Sequence, residues 1–195
     1  MSKTILYIDG ENIKHYLKLV LKNAQIPVKQ HNLENFAYST LFAQVLKGLD
    51  LAEQRYYSAK IRYHAEQQAK SKELILKQRV QKSSLEKQGI KVIMGGNVRP
   101  QEVTVNGKKT TVFHEKGVDV QIAVDLITDA LDKTITTAVL CSSDSDLQPA
   151  VQELKQRGVE IIYLGFEISP NKGLSYTTNR TILIRNSEVL DIYRS

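Results

Sequence analysis

A chain of 195 residues, 42% hydrophobic and 25% charged, lies in the ordinary globular range and is long enough to bury one core, so a single domain is expected. A net charge of +6 and a pI near 9.3 favour a polyanionic partner. One cysteine, Cys141, excludes an internal disulfide framework and a thiolate metal cluster, and its apolar neighbours predict a core position. The opening residues carry neither a signal-peptide core nor a membrane span, so a soluble, cytoplasmic protein with no membrane partner is expected.

Thr4 to Ile8 is a short apolar run ending in Asp9-Gly10 and reads as a strand buried on both faces. Ile13, Tyr16, Leu17 and Val20 then recur at helical spacing, predicting a helix from Glu11 to about Lys22. A second helical pattern runs from Leu33 to Gly48, and Gln54 to Ile61 reads as a second strand. Ala65 to Gln88 has no Gly or Pro and predicts a long helix closed by Gly89. Ile90 to Met94 is a third strand, with a turn expected at Gly95-Gly96-Asn97.

Asn106-Gly107 between short arms predicts a tight β-hairpin at about 102–114, read as an excursion from the main sheet. A helix over Gly117 to Leu131, a strand over Ala138 to Cys141, a helix over Asp146 to Arg157 and a strand over Val159 to Leu164 follow. Beyond Gly173 the pattern is mixed, with a short helix, a strand at Ile182 to Ile184 and a terminal helical turn. Strands alternating with helices define an α/β fold, three-layer and Rossmann-like, with a central parallel sheet and the inserted hairpin. Ligands of such sheets bind beyond the carboxyl ends of the strands.

At that edge the sequence places acids. Asp9 ends the first strand, Asp144 and Asp146 follow the strand through Cys141, and Asp119 starts the preceding helix. Like charges brought to about 4 Å repel by roughly 4 kcal/mol per pair at an effective dielectric near 20. Such a cluster therefore implies raised pKa values or a divalent ion, and hard oxygen donors suit Mg²⁺ or Mn²⁺. Each acid also has a plainer reading: Asp144 and Asp119 sit where helix caps sit. Asp125, Asp129 and Asp132 share one helical face, turned about 120° from Asp119, and read as a solvated stripe. His15, His31, His64 and His114 show no metal-ligand spacing, and neither a phosphate-binding loop nor a dinucleotide turn is present.

These residues resemble a known family. Ile5-Leu6-Tyr7-Ile8-Asp9-Gly10-Glu11-Asn12 is similar to the opening strand and D-x-x-N signature of NYN domains, PIN-like nuclease relatives that include LabA-type bacterial proteins. Lys116-Gly117-Val118-Asp119-Val120 and Ser142-Ser143-Asp144-Ser145-Asp146-Leu147 resemble that family's next two motifs, with Ser143 and Leu147 replacing the usual Gly and Phe. The resemblance implies a sheet of order 3-2-1-4-5 and a Mg²⁺ or Mn²⁺ site at Asp9, Asp119, Asp144 and Asp146. It also implies an assisting Asn12 and a second-tier acid at Asp125.

The expected activity is hydrolysis of RNA, including single-stranded RNA. Between Lys60 and Lys91 nine cations face three glutamates, which is either a solvated helix face or a surface for the RNA backbone. On the second reading Lys70, Lys72, Lys77 and Arg79, with Lys108, Lys109 and Lys116, hold the backbone, and Tyr56, Tyr57 and Tyr63 either stack on unpaired bases or are buried strand tyrosines. A non-catalytic RNA-binding or regulatory module is the alternative, and a phosphatase of small phosphoesters a third. The sequence leaves open the oligomeric state, a homodimer included, and the choice between endo- and exonuclease.

Overall fold

The computed structural model describes residues 3–63, 68–105 and 108–194, apart from the side chains of 99–102, 105 and 108–111. Among the described residues seven strands form one sheet: β1 (Thr4–Asp9), β2 (Leu51–Lys60), β3 (Lys91–Val105), β4 (Lys108–Lys116), β5 (Thr137–Cys141), β6 (Glu160–Phe166) and β7 (Arg180–Ile184), in the order β4-β3-β2-β1-β5-β6-β7. Every pairing is parallel except β3 with β4. The expected order 3-2-1-4-5 is therefore present, and β7 adds a further parallel strand beside β6.

The helices are α1 (Gly10–Asn23), α2 (Tyr38–Val45), α3 (Gln68–Lys87), α4 (Val118–Leu131), α5 (Gln148–Gln156), α6 (Lys172–Thr177) and α7 (Asn186–Arg194). Alternation along β1 divides them. Leu6 and Ile8 point to a core built with Ile13 and Leu17 of α1, Leu41 of α2, Leu85 of α3 and Val189 of α7. Ile5 and Tyr7 point to the opposite core, with Ile122 and Leu126 of α4, Val151 of α5 and Leu174 of α6. Three layers follow from that period of two. Cys141 is buried in the first core, where burial pushes its thiol far up.

Two sequence expectations are corrected. Gly95-Gly96-Asn97 is not a turn: β3 continues through it, with a register shift against β2 between Met94 and Asn97, and on into the hairpin, so the hairpin extends the main sheet. The glycines are there for close packing. A Cβ at Gly96 would lie 2.4 Å from the Lys116 carbonyl, and one at Gly95 would lie 2.6 Å from the Gln121 side chain on α4. The second helical pattern also yields a shorter helix than expected, because Leu33 and Phe36 are buried from a loop ahead of α2. The hairpin turn Asn106-Gly107 and the start of the long helix at Ala65 lie outside the described residues.

Candidate metal centre

The carboxyl edge of β1 and β5 and the start of α4 meet in an open cleft of about 540 Å³, lined by Asp9, Glu11, Asn12, Glu115, Lys116, Asp119 and Asp144 among others. Asp119, Asp144 and Asp146 each bring a carboxylate oxygen within 4.8 Å of the other two. Asp119 and Asp144 are half-buried and Asp146 is exposed. Gly117 makes this placement available. It caps α4 at φ +88, a left-handed conformation that turns the chain from β4 directly into the first helical turn, where Asp119 sits.

Asp9 lies beside the trio as the N-cap of α1. Its Oδ1 accepts from the Asn12 backbone N–H at 3.0 Å, and its Oδ2 accepts from the Ser142 hydroxyl at 3.0 Å. Burial raises its pKa above the ordinary aspartate range, the two hydrogen bonds oppose the rise, and the Asp144 charge adds to it. The Asn12 Oδ1 accepts from the Ser143 backbone N–H at 3.0 Å, tying α1 to the loop after β5. Asp144 caps the short 3-10 turn Ser145–Leu147 through the Asp146 N–H at 2.9 Å. The capping reading of Asp144 thus holds alongside its place in the trio.

Three residues of this region went unnoticed in the sequence. Asn171 caps α6 and donates from Nδ2 to the Ser143 carbonyl at 2.8 Å, while its backbone N–H donates to the Tyr163 hydroxyl at 3.0 Å. That pair holds the loop carrying Asp144. Glu11 and Glu115 line the cleft, and burial, then the Glu11 charge, push the Glu115 carboxyl from its ordinary 4.5 up to about 7.

A carboxyl group whose pKa is raised on folding favours the native state when protonated. Its contribution is fully present below pH 4.5 and is lost as the pH rises through about 7. Urea melts across that window are expected to show Glu115→Gln flattening the pH dependence and gaining on the order of 1 kcal/mol at pH 8, after discounting for solvent screening. Parallel curves for variant and wild type would refute the assignment.

Most other expected site residues, Lys116 apart, do not line the cleft. Asp125 points at the sheet, accepting from the Tyr57 hydroxyl at 2.9 Å and from Gln121 Nε2 at 2.7 Å. Asp129 accepts from the Tyr7 hydroxyl at 2.6 Å and pairs with Arg55 at 2.5 Å. The solvated-stripe expectation fails for both, because that face of α4 packs on β1 and β2; Asp132 is exposed. Tyr56 and Tyr57 are fully buried and cannot stack on bases, whereas Tyr63 is half exposed with Lys72 6.0 Å from its ring centre. Lys70, Lys72, Lys77, Arg79 and Lys116 are exposed, and Lys116 borders the cleft. Lys77 pairs with Glu73 at 2.7 Å, and Lys70 lies 5.3 Å from the Phe113 ring centre. The side chains of Lys108 and Lys109, and His64, are outside the described residues.

Gly10 shows how tightly the site is backed. A Cβ there would stand 2.4 Å from the Tyr56 ring and 2.5 Å from the Tyr57 carbonyl. Gly10→Ala is expected to cost about 1–3 kcal/mol by overpacking, lowering the melting temperature by several degrees. A variant melting within about 1 °C of wild type would contradict that expectation.

This arrangement of parallel sheet, carboxyl-edge acids and capped loop agrees with the family comparison. The NYN domain model matches residues 3–184, and the chain belongs to the NYN domain family of PIN-like nucleases. No curated protein matches the chain. In fold it is similar to a Vibrio parahaemolyticus protein of unknown function, at 16% identity and a TM-score of 0.56, over 94% of this chain and 93% of that one. A structure of Sir2Tm bound to a propionylated peptide aligns at 11% identity and a TM-score of 0.43, over 98% and 90% of the two chains. Among the described residues no helix is long and apolar enough to cross a membrane.

The donor set fits a hard divalent cation. It offers carboxylate oxygens only, all within 4.8 Å of one another, close enough for one hard ion to be shared among them. At separations of up to 4.8 Å each pair repels by at least roughly 3.5 kcal/mol at an effective dielectric near 20, a cost that a bound cation would offset.

Proposed function

We propose that this protein is a metal-dependent ribonuclease that hydrolyses phosphodiester bonds of RNA at the Asp119–Asp144–Asp146 cluster. The observation that carries the reading is the convergence of those three carboxylates, from two separate segments, at an open cleft that Asp119 and Asp144 line in a PIN-like fold. Asp119, Asp144 and Asp146 would hold a Mg²⁺ or Mn²⁺ ion, with Asp9 behind them. A bound divalent ion supplies Lewis acidity toward a phosphoryl oxygen and lowers the pKa of a coordinated water.

The chain's own residues do the rest. Asn12, through the Ser143 N–H, and Asn171, through the Ser143 carbonyl, fix the loop that presents Asp144 and Asp146. Lys116, at the cleft border, supplies the positive charge that a phosphate needs beside so many acids. The exposed cations of α3 add salt-dependent affinity for a polyanion. A pure phosphate binder gains nothing from clustered negative charge, which favours hydrolysis over the non-catalytic alternative.

A small-substrate comparison tests the chemistry. With Mn²⁺, the activated diester bis(p-nitrophenyl) phosphate is expected to be hydrolysed faster than the monoester p-nitrophenyl phosphate, and EDTA should stop both. Preference for the monoester would overturn the phosphodiesterase reading in favour of a phosphatase.

A further inference from the structure

A second cavity, of about 330 Å³, adjoins the carboxylate cleft. It is walled by α1, α3, the loop before α2, the ends of β2 and β4 and the middle of β3, and Glu11 and Glu115 line both spaces. Its inner wall is cross-linked by hydrogen bonds. On α3, Gln78 donates from Nε2 to the Ala59 carbonyl at 2.7 Å and accepts the Ile61 N–H at 3.2 Å, and Gln81 donates to the Tyr56 hydroxyl at 3.0 Å.

Leu33, Ile61, Leu74 and Val98 give the cavity apolar sides, while Lys14, Lys18 and Lys77 line it together with the carboxylates Glu11, Glu34 and Glu115, and Lys77 is paired with Glu73. Glu11 is ion-paired with Lys14, so the charge it turns toward the cavity is largely offset.

We propose that this cavity takes one unpaired nucleotide of the RNA strand, next to the phosphodiester held in the cleft; this deepens, and rests on, the ribonuclease reading above. Three observations support it. The volume lies at the low end of the roughly 300–1,000 Å³ typical of small-ligand pockets, enough for a single nucleotide and too little for stacked base pairs. The apolar sides match a flat base, and Lys18, exposed on α1, supplies a cation for the phosphate joined to it. The shared residues Glu11 and Glu115 make the cavity the direct neighbour of the cleft lined by Asp119 and Asp144. A base inside a duplex is stacked and paired, so only a single-stranded or extruded nucleotide can enter.

The test uses the full chain in EDTA, where turnover is absent, and follows binding of nucleoside 5′-monophosphates, ribose 5-phosphate and inorganic phosphate by ligand-observed NMR. Saturable binding of the nucleotides is expected, with ribose 5-phosphate and phosphate far weaker. Leu74→Trp, which fills the cavity, and Lys18→Glu, at an exposed position of α1 that leaves the core untouched, should each weaken nucleotide binding at least about tenfold. Asp144→Asn should leave it unchanged. Equal binding of inorganic phosphate, or nucleotide binding unaltered in both cavity variants, would overturn the proposal.

The two readings fail separately. RNA cleavage lost in Asp144→Asn but unchanged in Leu74→Trp and Lys18→Glu would remove the nucleotide pocket and keep the ribonuclease. Nucleotide binding lost only in the cavity variants, with no cleavage of any RNA by wild type, would support the pocket and remove the hydrolysis.

Discussion

Asp144→Asn is expected to lower turnover by about 10³-fold or more while raising the melting temperature of the metal-free protein. Substituting groups that merely orient a metal ligand typically costs about 10–100-fold in affinity or activity, so a direct ligand should cost more. The stability change has the opposite sign because the substitution removes one of three mutually repelling charges within 4.8 Å. An asparagine keeps the oxygen that caps the Ser145–Leu147 turn, so local structure should survive. With water at the open rim screening the repulsion, a gain of about 1 kcal/mol is expected, or roughly 2–4 °C for a chain of this size. Saturating Mn²⁺ should reverse the order. At 100 times its Kd a ligand adds about 2.7 kcal/mol, which wild type should gain and the variant largely lose. Calorimetric melts of both proteins with Mn²⁺ and with EDTA measure all of this. Equal Mn²⁺ stabilisation of the two proteins would place the ion elsewhere.

The largest stability loss is expected from Arg55→Leu. Arg55 on β2 is 13% exposed and pairs with Asp129 at 2.5 Å and Glu53 at 3.0 Å, and its guanidinium lies 5.5 Å from the centre of the Tyr7 ring. Removing it leaves the Asp129 carboxylate, 15% exposed, beneath the sheet without its cation. Breaking a buried pair from one side costs about 3–5 kcal/mol, which for this chain is roughly 6–20 °C in melting temperature. Replacing both partners, as Arg55→Leu with Asp129→Leu, should recover part of the loss, leaving the cost of an unpartnered Tyr7 hydroxyl. Activity should fall with Arg55→Leu too, because this network and the Tyr57–Asp125 bond clamp α4 to β1 and β2, and α4 carries Asp119. Urea melts of the single and double variants check this. A double variant no more stable than Arg55→Leu would show that the uncompensated Asp129 charge is not the main cost.

Much of this was legible in the sequence for physical reasons. Fully buried parallel strands read as unbroken apolar runs, which is why β1, β5 and β6 stood out, and the acids at their ends could be placed because βαβ chirality fixes which edge they share. What stayed hidden depends on pairing partners. Helical spacing put Asp125 and Asp129 on one face but could not say that this face meets Tyr7, Tyr57 and Arg55, whose buried polar groups needed acceptors. Glu115 sits in a short polar arm, and its approach to the cleft arises only when β4 pairs with β3 opposite Val98. Gly95-Gly96 carried a turn signal, yet the missing side chains serve the packing of β3 against β4 and α4. Asn171 offered no signal beyond a helix-cap residue, since its link to Ser143 joins segments 28 residues apart.

The most direct test of the central claim is cleavage of end-labelled single- and double-stranded RNA by wild type and Asp144→Asn with Mn²⁺, Mg²⁺ or excess EDTA. Cutting that requires the metal and disappears in both EDTA and the variant is the predicted result. No cutting of any RNA, with salt-sensitive RNA binding intact in both proteins, would contradict it and leave a binding module built on a nuclease fold.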